Sequence, residues 1–178
     1  MTMEELCMWL GIDGSAQEVL TWDECTDGRI MARCLSAMER WPRGDDPATR
    51  ALAADCAEMV LHVHERARPD VLWPRLAIEA TRAYAAGGTR ALRRDMYWSV
   101  PFAWSGWDLD HGSYAAAAAR HTAHDSPFWA VVDVLNDAAR AVPAADVADL
   151  VSRQADSIRS VYTWPMVQDL LRVKRGLA

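Results

Sequence analysis

51-ALAADCAEMVLHVHERARPDVLWPRLAIEATRAYAA-86 reads as two helices joined by a short proline-bounded turn. In its first half Leu52, Cys56, Met59, Val60 and Val63 fall at i, i+4, i+7, i+8 and i+11, the spacing of one buried helix face. Asp55, Glu58, His62 and Glu65 occupy another face, and His62 and His64 diverge because they stand only two residues apart. Pro69 ends the element. Pro74 suits the first turn of the next helix, where a missing N–H costs nothing. Ala77, Ile78, Thr81, Tyr84 and Ala85 form the packing face of that second helix. Arg75, Glu79 and Arg82 stand at i, i+4 and i+7, so Glu79 is expected to meet an arginine on either side. Gly87-Gly88 closes the helix. Asp55, Arg75, Glu79 and Arg82 are therefore read as structural residues.

The same period runs outward in both directions, and almost nothing alternates with period two. Upstream lie a short helix near 3–10, a turn at Gly11 and Gly14, and a second short helix near 15–24. Thr26 or Asp27 can cap the next helix, whose stripe is Ile30, Met31, Cys34, Leu35, Met38 and Trp41. The loop 42–47 separates an N-terminal helical subregion, 1–44, from a main alanine-rich bundle, 45–178. Downstream, residues 89–100 turn their arginines outward and Met96, Tyr97 and Val100 inward. Residues 101–113 are aperiodic and rich in Trp and Asp. Ser113 can cap a helix over 114–124, and Ser126 followed by Pro127 starts one through about 142 with Phe128, Val131, Val132, Leu135 and Ala139 inward. Helices near 144–161 and 165–175 complete the chain. The expectation is an all-α, single-domain bundle of about seven to nine helices with short loops.

Composition narrows the function classes. The net charge is −6, and residues 1–28 hold Glu4, Glu5, Asp13, Glu18, Asp23, Glu24 and Asp27 with no Lys or Arg. The only basic groups are short, Arg90/Arg93/Arg94 and Arg172/Lys174/Arg175. Nucleic-acid binding needs a basic face that displaces counterions, so it is disfavoured, and the acidic end suits a basic protein partner. No apolar run approaches the roughly 20 residues a membrane helix needs. Acids stand where a signal peptide needs positive charge, so a cytoplasmic location is expected. The four cysteines form no CxxC pair and read as small buried reduced hydrophobes. Nine tryptophans fill gaps between small residues, with one or two expected at a partner surface.

Catalytic motifs are scarce. His121, His124 and Asp125, with Asp108, Asp110 and His111 before them, are the only group that suggests a metal, and no ExxH or HExxH accompanies them. No GxSxG elbow marks Ser99, Ser105 or Ser113, and Cys56 sits in the core stripe, a poor place for a nucleophile. Gly87-Gly88-Thr89 with Arg90 and Arg93 could hold an anion, but a GG doublet between helices is the composition of a turn. No cofactor or metal is expected. The best functional surface is the aperiodic segment with Trp104, Trp107, Asp108, Asp110 and His111, because contacts concentrate in loops on rigid scaffolds.

The run 53-AADCAEMVLHVHERARPDVLWPRLAIEATRAYAAG-87 resembles the core of the Imm-5-like immunity proteins of bacterial polymorphic-toxin systems, through Asp55, Cys56, Ala57, Glu58, Pro74, Arg75, Ala77, Ile78, Glu79, Arg82, Ala83, Tyr84 and Gly87. The resemblance implies a small helical protein that neutralises a toxin by occlusion. Partner contacts are then expected from the acids of 1–28 and from the 101–113 segment, in a monomer or small homo-oligomer. Two alternatives predict different partners: a phage-encoded inhibitor of a host defence complex, and a metal-binding bundle or enzyme using His111, His121 and His124.

Overall fold

The computed structural model describes residues 1–12, 20–38, 46–98 and 110–174, the side chains of residues 90, 97 and 98 excepted. Its α-helices are α1 (Met3–Leu10), α2 (Gly28–Met38), α3 (Pro47–Ala67), α4 (Trp73–Gly87), α5 (Arg90–Trp98), α6 (His111–His121), α7 (Pro127–Ala141), α8 (Val147–Val161) and α9 (Trp164–Lys174), with a 3-10 turn at Ala144–Asp146. No strand occurs among the described residues, so the protein is the all-α bundle its period predicts. No helix among them is long and apolar enough to cross a membrane. Asp13, Glu18, Trp41, Val100, Trp104, Trp107, Asp108 and Arg175 lie outside the described residues, as do most of the loop 42–47 and of the segment 101–113.

α3 is the central element, in contact with α4, α6, α7 and α8. Asp46 starts it by accepting from the N–H groups of Ala48 and Thr49, and Pro47 occupies the first turn. At about 100° per residue, the buried positions Thr49, Arg50, Leu52, Ala53, Ala54, Cys56, Ala57, Val60, Leu61 and His64 span about 200° of the circumference. The sequence stripe is one edge of that arc, with Met59 and Val63 only partly buried. The other edge is alanine, which lies against α6 and its buried Ala115, Ala116, Ala118 and Ala119. Small side chains on both helices let the two backbones approach.

Around this centre α4 packs on α3 and α6, and α5 packs on α4 through Tyr84, Met96 and Ala123. α2 crosses α7 and α8, with α1 and α9 laid against it. One core cluster runs from Met3 in α1 to Leu171 in α9. Contact between α2 and α8 is close. A Cβ on Gly28 would lie 2.8 Å from the Ala155 nitrogen and 2.9 Å from Gln154 Cβ. Ser126 and Pro127 start α7 as read from the sequence.

Several boundaries differ from the sequence reading. Of the helix expected over 15–24, residues 20–24 form a turn instead. Glu24 accepts from both the N–H and the hydroxyl of Thr21, which closes the turn on itself, and Trp22 is buried with its indole N–H donating to the Tyr162 carbonyl at 2.9 Å. α6 begins at His111, three residues before the expected start, because Asp110 rather than Ser113 is its cap. The Asp110 carboxylate accepts from the Ser113 N–H at 2.6 Å and pairs with Arg68 at 2.8 Å. Aspartate caps as well as serine does, and the Arg68 tether decides between them.

The expected intrahelical ladder of Arg75, Glu79 and Arg82 is a cross-helix network. Arg75 pairs with Glu65 at 2.6 Å and Glu58 at 3.7 Å, and Arg82 pairs with Asp55 at 2.7 Å and Glu58 at 3.2 Å. Both arginines therefore clamp α4 to α3. An arginine reaches farther than one helical turn, so neighbouring-helix acids compete with the local Glu79. His62 and His64 do diverge: His62 is exposed, and His64 is fully buried, its ring nitrogens each 3.2 Å from a carbonyl, of Gly112 and Val71.

Candidate partner-binding surface

α1 divides cleanly into two arcs. Met3, Leu6 and Cys7 are buried, while Glu4, Glu5, Met8 and Trp9 are exposed. Those four residues span about 140° of one face at about 100° per residue, and the exposed Met1 precedes the helix. Met8 is 70% exposed, Met1 45% and Trp9 39%. Leu72 and Trp129 stand exposed elsewhere, at 63% and 50%, and the α1 face differs in grouping two large apolar side chains with two carboxylates. The turn at 20–24 adjoins the start of α1, because the Met3 N–H donates to the Leu20 carbonyl at 2.6 Å.

The acids of this end do different work. Glu5 forms a capping box with Thr2, its carboxylate accepting from the Thr2 N–H at 2.8 Å and its own N–H donating to the threonine hydroxyl at 3.2 Å. Glu24 caps the turn, and its carboxyl titrates below the usual range because the Thr21 N–H and hydroxyl bond to it. Asp27 caps α2. Burial opposes its charge, but the Arg29 guanidinium at 2.6 Å and the N–H groups of Arg29 and Ile30 outweigh that and hold its carboxyl low. Glu4 and Asp23 are exposed and have no hydrogen-bond or ion-pair partner among the described residues.

The other candidate residues are scattered. His111 is the exposed first residue of α6, with Nδ1 3.0 Å from the Arg140 carbonyl. His121 is ten residues further along the same helix, about 15 Å away at 1.5 Å per residue. There it meets Asp137 at 3.2 Å and Asp133 at 3.7 Å, both on α7. His124 accepts from the Ser126 N–H at 3.1 Å, and the Asp125 carbonyl accepts from Arg50. Among the described residues no three His, Cys, Asp or Glu side chains gather as a metal ion needs. His62 and His111 do share a cleft of about 480 Å³ with Arg66 and Asp146, a pairing their separation in sequence conceals.

All four cysteines are buried, and none forms a disulfide. Burial pushes the Cys56 thiol up to about 12, which makes it inert. Cys7 and Cys34 lie 3.6 Å apart, sulfur to sulfur, between α1 and α2. Either thiol can donate to the other, and the contact makes Cys7 lose its proton more readily and Cys34 less, with burial adding to the rise at Cys34.

Comparison with family models, with curated proteins and with solved structures finds no match for this chain.

Proposed function

We propose that this protein is a non-enzymatic protein-binding inhibitor, and specifically an immunity protein that neutralises a toxin by covering a basic surface of it. The observation that carries the reading is the α1 face, where Met1, Met8 and Trp9 stand exposed among Glu4, Glu5 and the neighbouring Asp23. Aromatic and methionine side chains are enriched in the cores of protein interfaces, and complementary charge around them speeds and orients encounter. The resemblance of residues 53–87 to immunity proteins supports the same reading and assigns that stretch to the scaffold.

Co-expression tests it. The chain should restore growth to cells producing the toxin encoded beside its gene, and the purified pair should form a stoichiometric complex. Trp9→Ser should weaken that complex by about tenfold or more, the usual effect of truncating a tryptophan anchor. Glu4→Lys with Asp23→Lys should slow association without unfolding the protein, because neither carboxylate has a partner among the described residues. Unchanged affinity in all these variants, or no protection by the wild type, would discard the proposal.

A further inference from the structure

We propose that a cavity of about 420 Å³ walled by Phe128, Tyr162, Met166, Leu170 and Val173 binds a small organic ammonium ion, its head at Asp46 and its hydrocarbon along α9. The site is separate from the α1 face and does not depend on partner binding.

Asp46 is the deciding residue. Its carboxylate takes only neutral donors: the N–H groups of Ala48 and Thr49 at 3.3 and 3.2 Å, the Thr49 hydroxyl, and the Tyr162 hydroxyl at 2.9 Å. No Lys, Arg or His pairs with it among the described residues. Oδ2 receives three of these bonds and Oδ1 only the long one from Ala48, so Oδ1 keeps acceptor capacity. The other acid at the cavity, Asp169, is already paired with Arg172 at 2.9 Å.

The remaining walls are hydrocarbon and aromatic. The Phe128 and Tyr162 rings stand 5.9 Å apart at a tilt of 42°. Ring faces attract cations, so they reinforce the carboxylate. The Trp22 indole N–H holds the Tyr162 carbonyl at 2.9 Å and fixes that wall. An anion would be repelled by Asp46. A divalent metal needs several oxygen ligands, which these walls do not supply. A neutral apolar ligand would strip water from Asp46 and leave the charge without compensation. An alkyl- or arylalkylammonium ion satisfies both parts of the cavity.

Calorimetric titration of the full chain tests this with hexylammonium, 1-hexanol and hexanoate, which share a chain and differ in charge. Hexylammonium should bind saturably at one site per chain, with hexanol and hexanoate at least about tenfold weaker. Asp46→Asn should lower hexylammonium affinity about tenfold or more and leave hexanol unchanged, since asparagine caps a helix as well as aspartate does. Leu170→Trp, which fills the cavity, should abolish both. Hexanol binding as tightly as hexylammonium, or an absence of saturable binding, would overturn the proposal on the unaltered protein alone, whatever the variants do. Tighter binding of N-acetyl-lysine methylamide than of hexylammonium would also overturn it, by reassigning the cavity to a lysine side chain of a protein.

Discussion

Replacing Arg50 by methionine should be among the most damaging single changes to this fold. The Arg50 side chain is fully buried, and its guanidinium donates to the carbonyls of Thr122 at 3.1 Å, Asp125 at 2.9 Å and His124. These carbonyls lie where α6 ends and the chain turns into α7, so one cation satisfies acceptors just beyond the Ala119 carbonyl that the Thr122 hydroxyl caps. Methionine keeps the aliphatic stem and removes the donors. The Thr122 carbonyl sits on a fully buried residue and would lose its partner outright, at about 1–3 kcal/mol. His124 and Asp125 are exposed, so water can replace the arginine there at a fraction of that cost. Loss of a cation at a partly buried helix C-terminus adds about 1–2 kcal/mol. Relief of the buried charge itself offsets part of this. The expected loss is about 2–5 kcal/mol, or about 4–20 °C in melting temperature for a chain of this size. Arg50→Lys, which retains the charge but not the planar fork, should fall about midway. Urea unfolding followed by tryptophan fluorescence and by circular dichroism measures both. A loss below about 1 kcal/mol for Arg50→Met, with an unchanged denaturant slope, would refute the assignment of Arg50 as the clamp between α3 and the α6–α7 corner.

Three further changes probe the packing and charge. Gly28→Ala should cost about 1–3 kcal/mol in urea unfolding, because the new methyl meets the α8 backbone rather than a flexible side chain. Gln154→Met should stabilise by about 1–2 kcal/mol, since both polar atoms of the buried Gln154 amide lack a partner. Asp110→Asn keeps the α6 cap and removes the charge facing Arg68. The Arg68 guanidinium and then the Ser113 N–H hold the Asp110 carboxyl well below the usual carboxylate range. A depressed folded value means the stabilisation is complete above the unfolded value near pH ~4 and disappears as pH falls toward the folded one. The pair is substantially exposed, so the variant should lose at most about 1 kcal/mol at pH 7, and the gap to wild type should close in acid.

The sequence discloses the helices better than it discloses what holds them. Periodicity places α3, α4 and α7 almost to the residue, because proline at the first turn is a local signal in all three, joined in α3 and α7 by a capping side chain before it. The buried arc of α3 is broader than its apolar stripe, since alanine carries too little hydrophobicity to mark a face that α6 nevertheless covers. Arg50 and His64 fall inside that broader arc and look exposed on polarity alone. Apart from the Val71 carbonyl, seven residues from His64, their partners are backbone carbonyls 48 to 75 residues distant, and a carbonyl leaves no trace in residue identity. The ion pairs of Arg75 and Arg82 were half legible, as the right residues with the wrong neighbours. The bond of Asp46 to Thr49 is a local cap, but Tyr162 was hidden for the same reason as the partners of Arg50, since it joins them only once α3 and the end of α8 are packed.

Charge composition has a related limit, which bears on where a partner would bind. Counting seven acids in the first 28 residues suggests a strongly negative patch. Three of them, Glu5, Glu24 and Asp27, are spent on the capping box, the turn and the start of α2. A carboxylate that already accepts N–H bonds presents less unsatisfied negative charge, and removing it perturbs the fold as well as any interface. Glu4 and Asp23 differ because they are exposed and have no described partner. An interface test that reverses all the acids would therefore confuse unfolding with lost binding, whereas reversing these two isolates the electrostatic contribution. On the proposed function the anchoring would fall to Met8 and Trp9, the exposed apolar side chains that share the α1 face with Glu4.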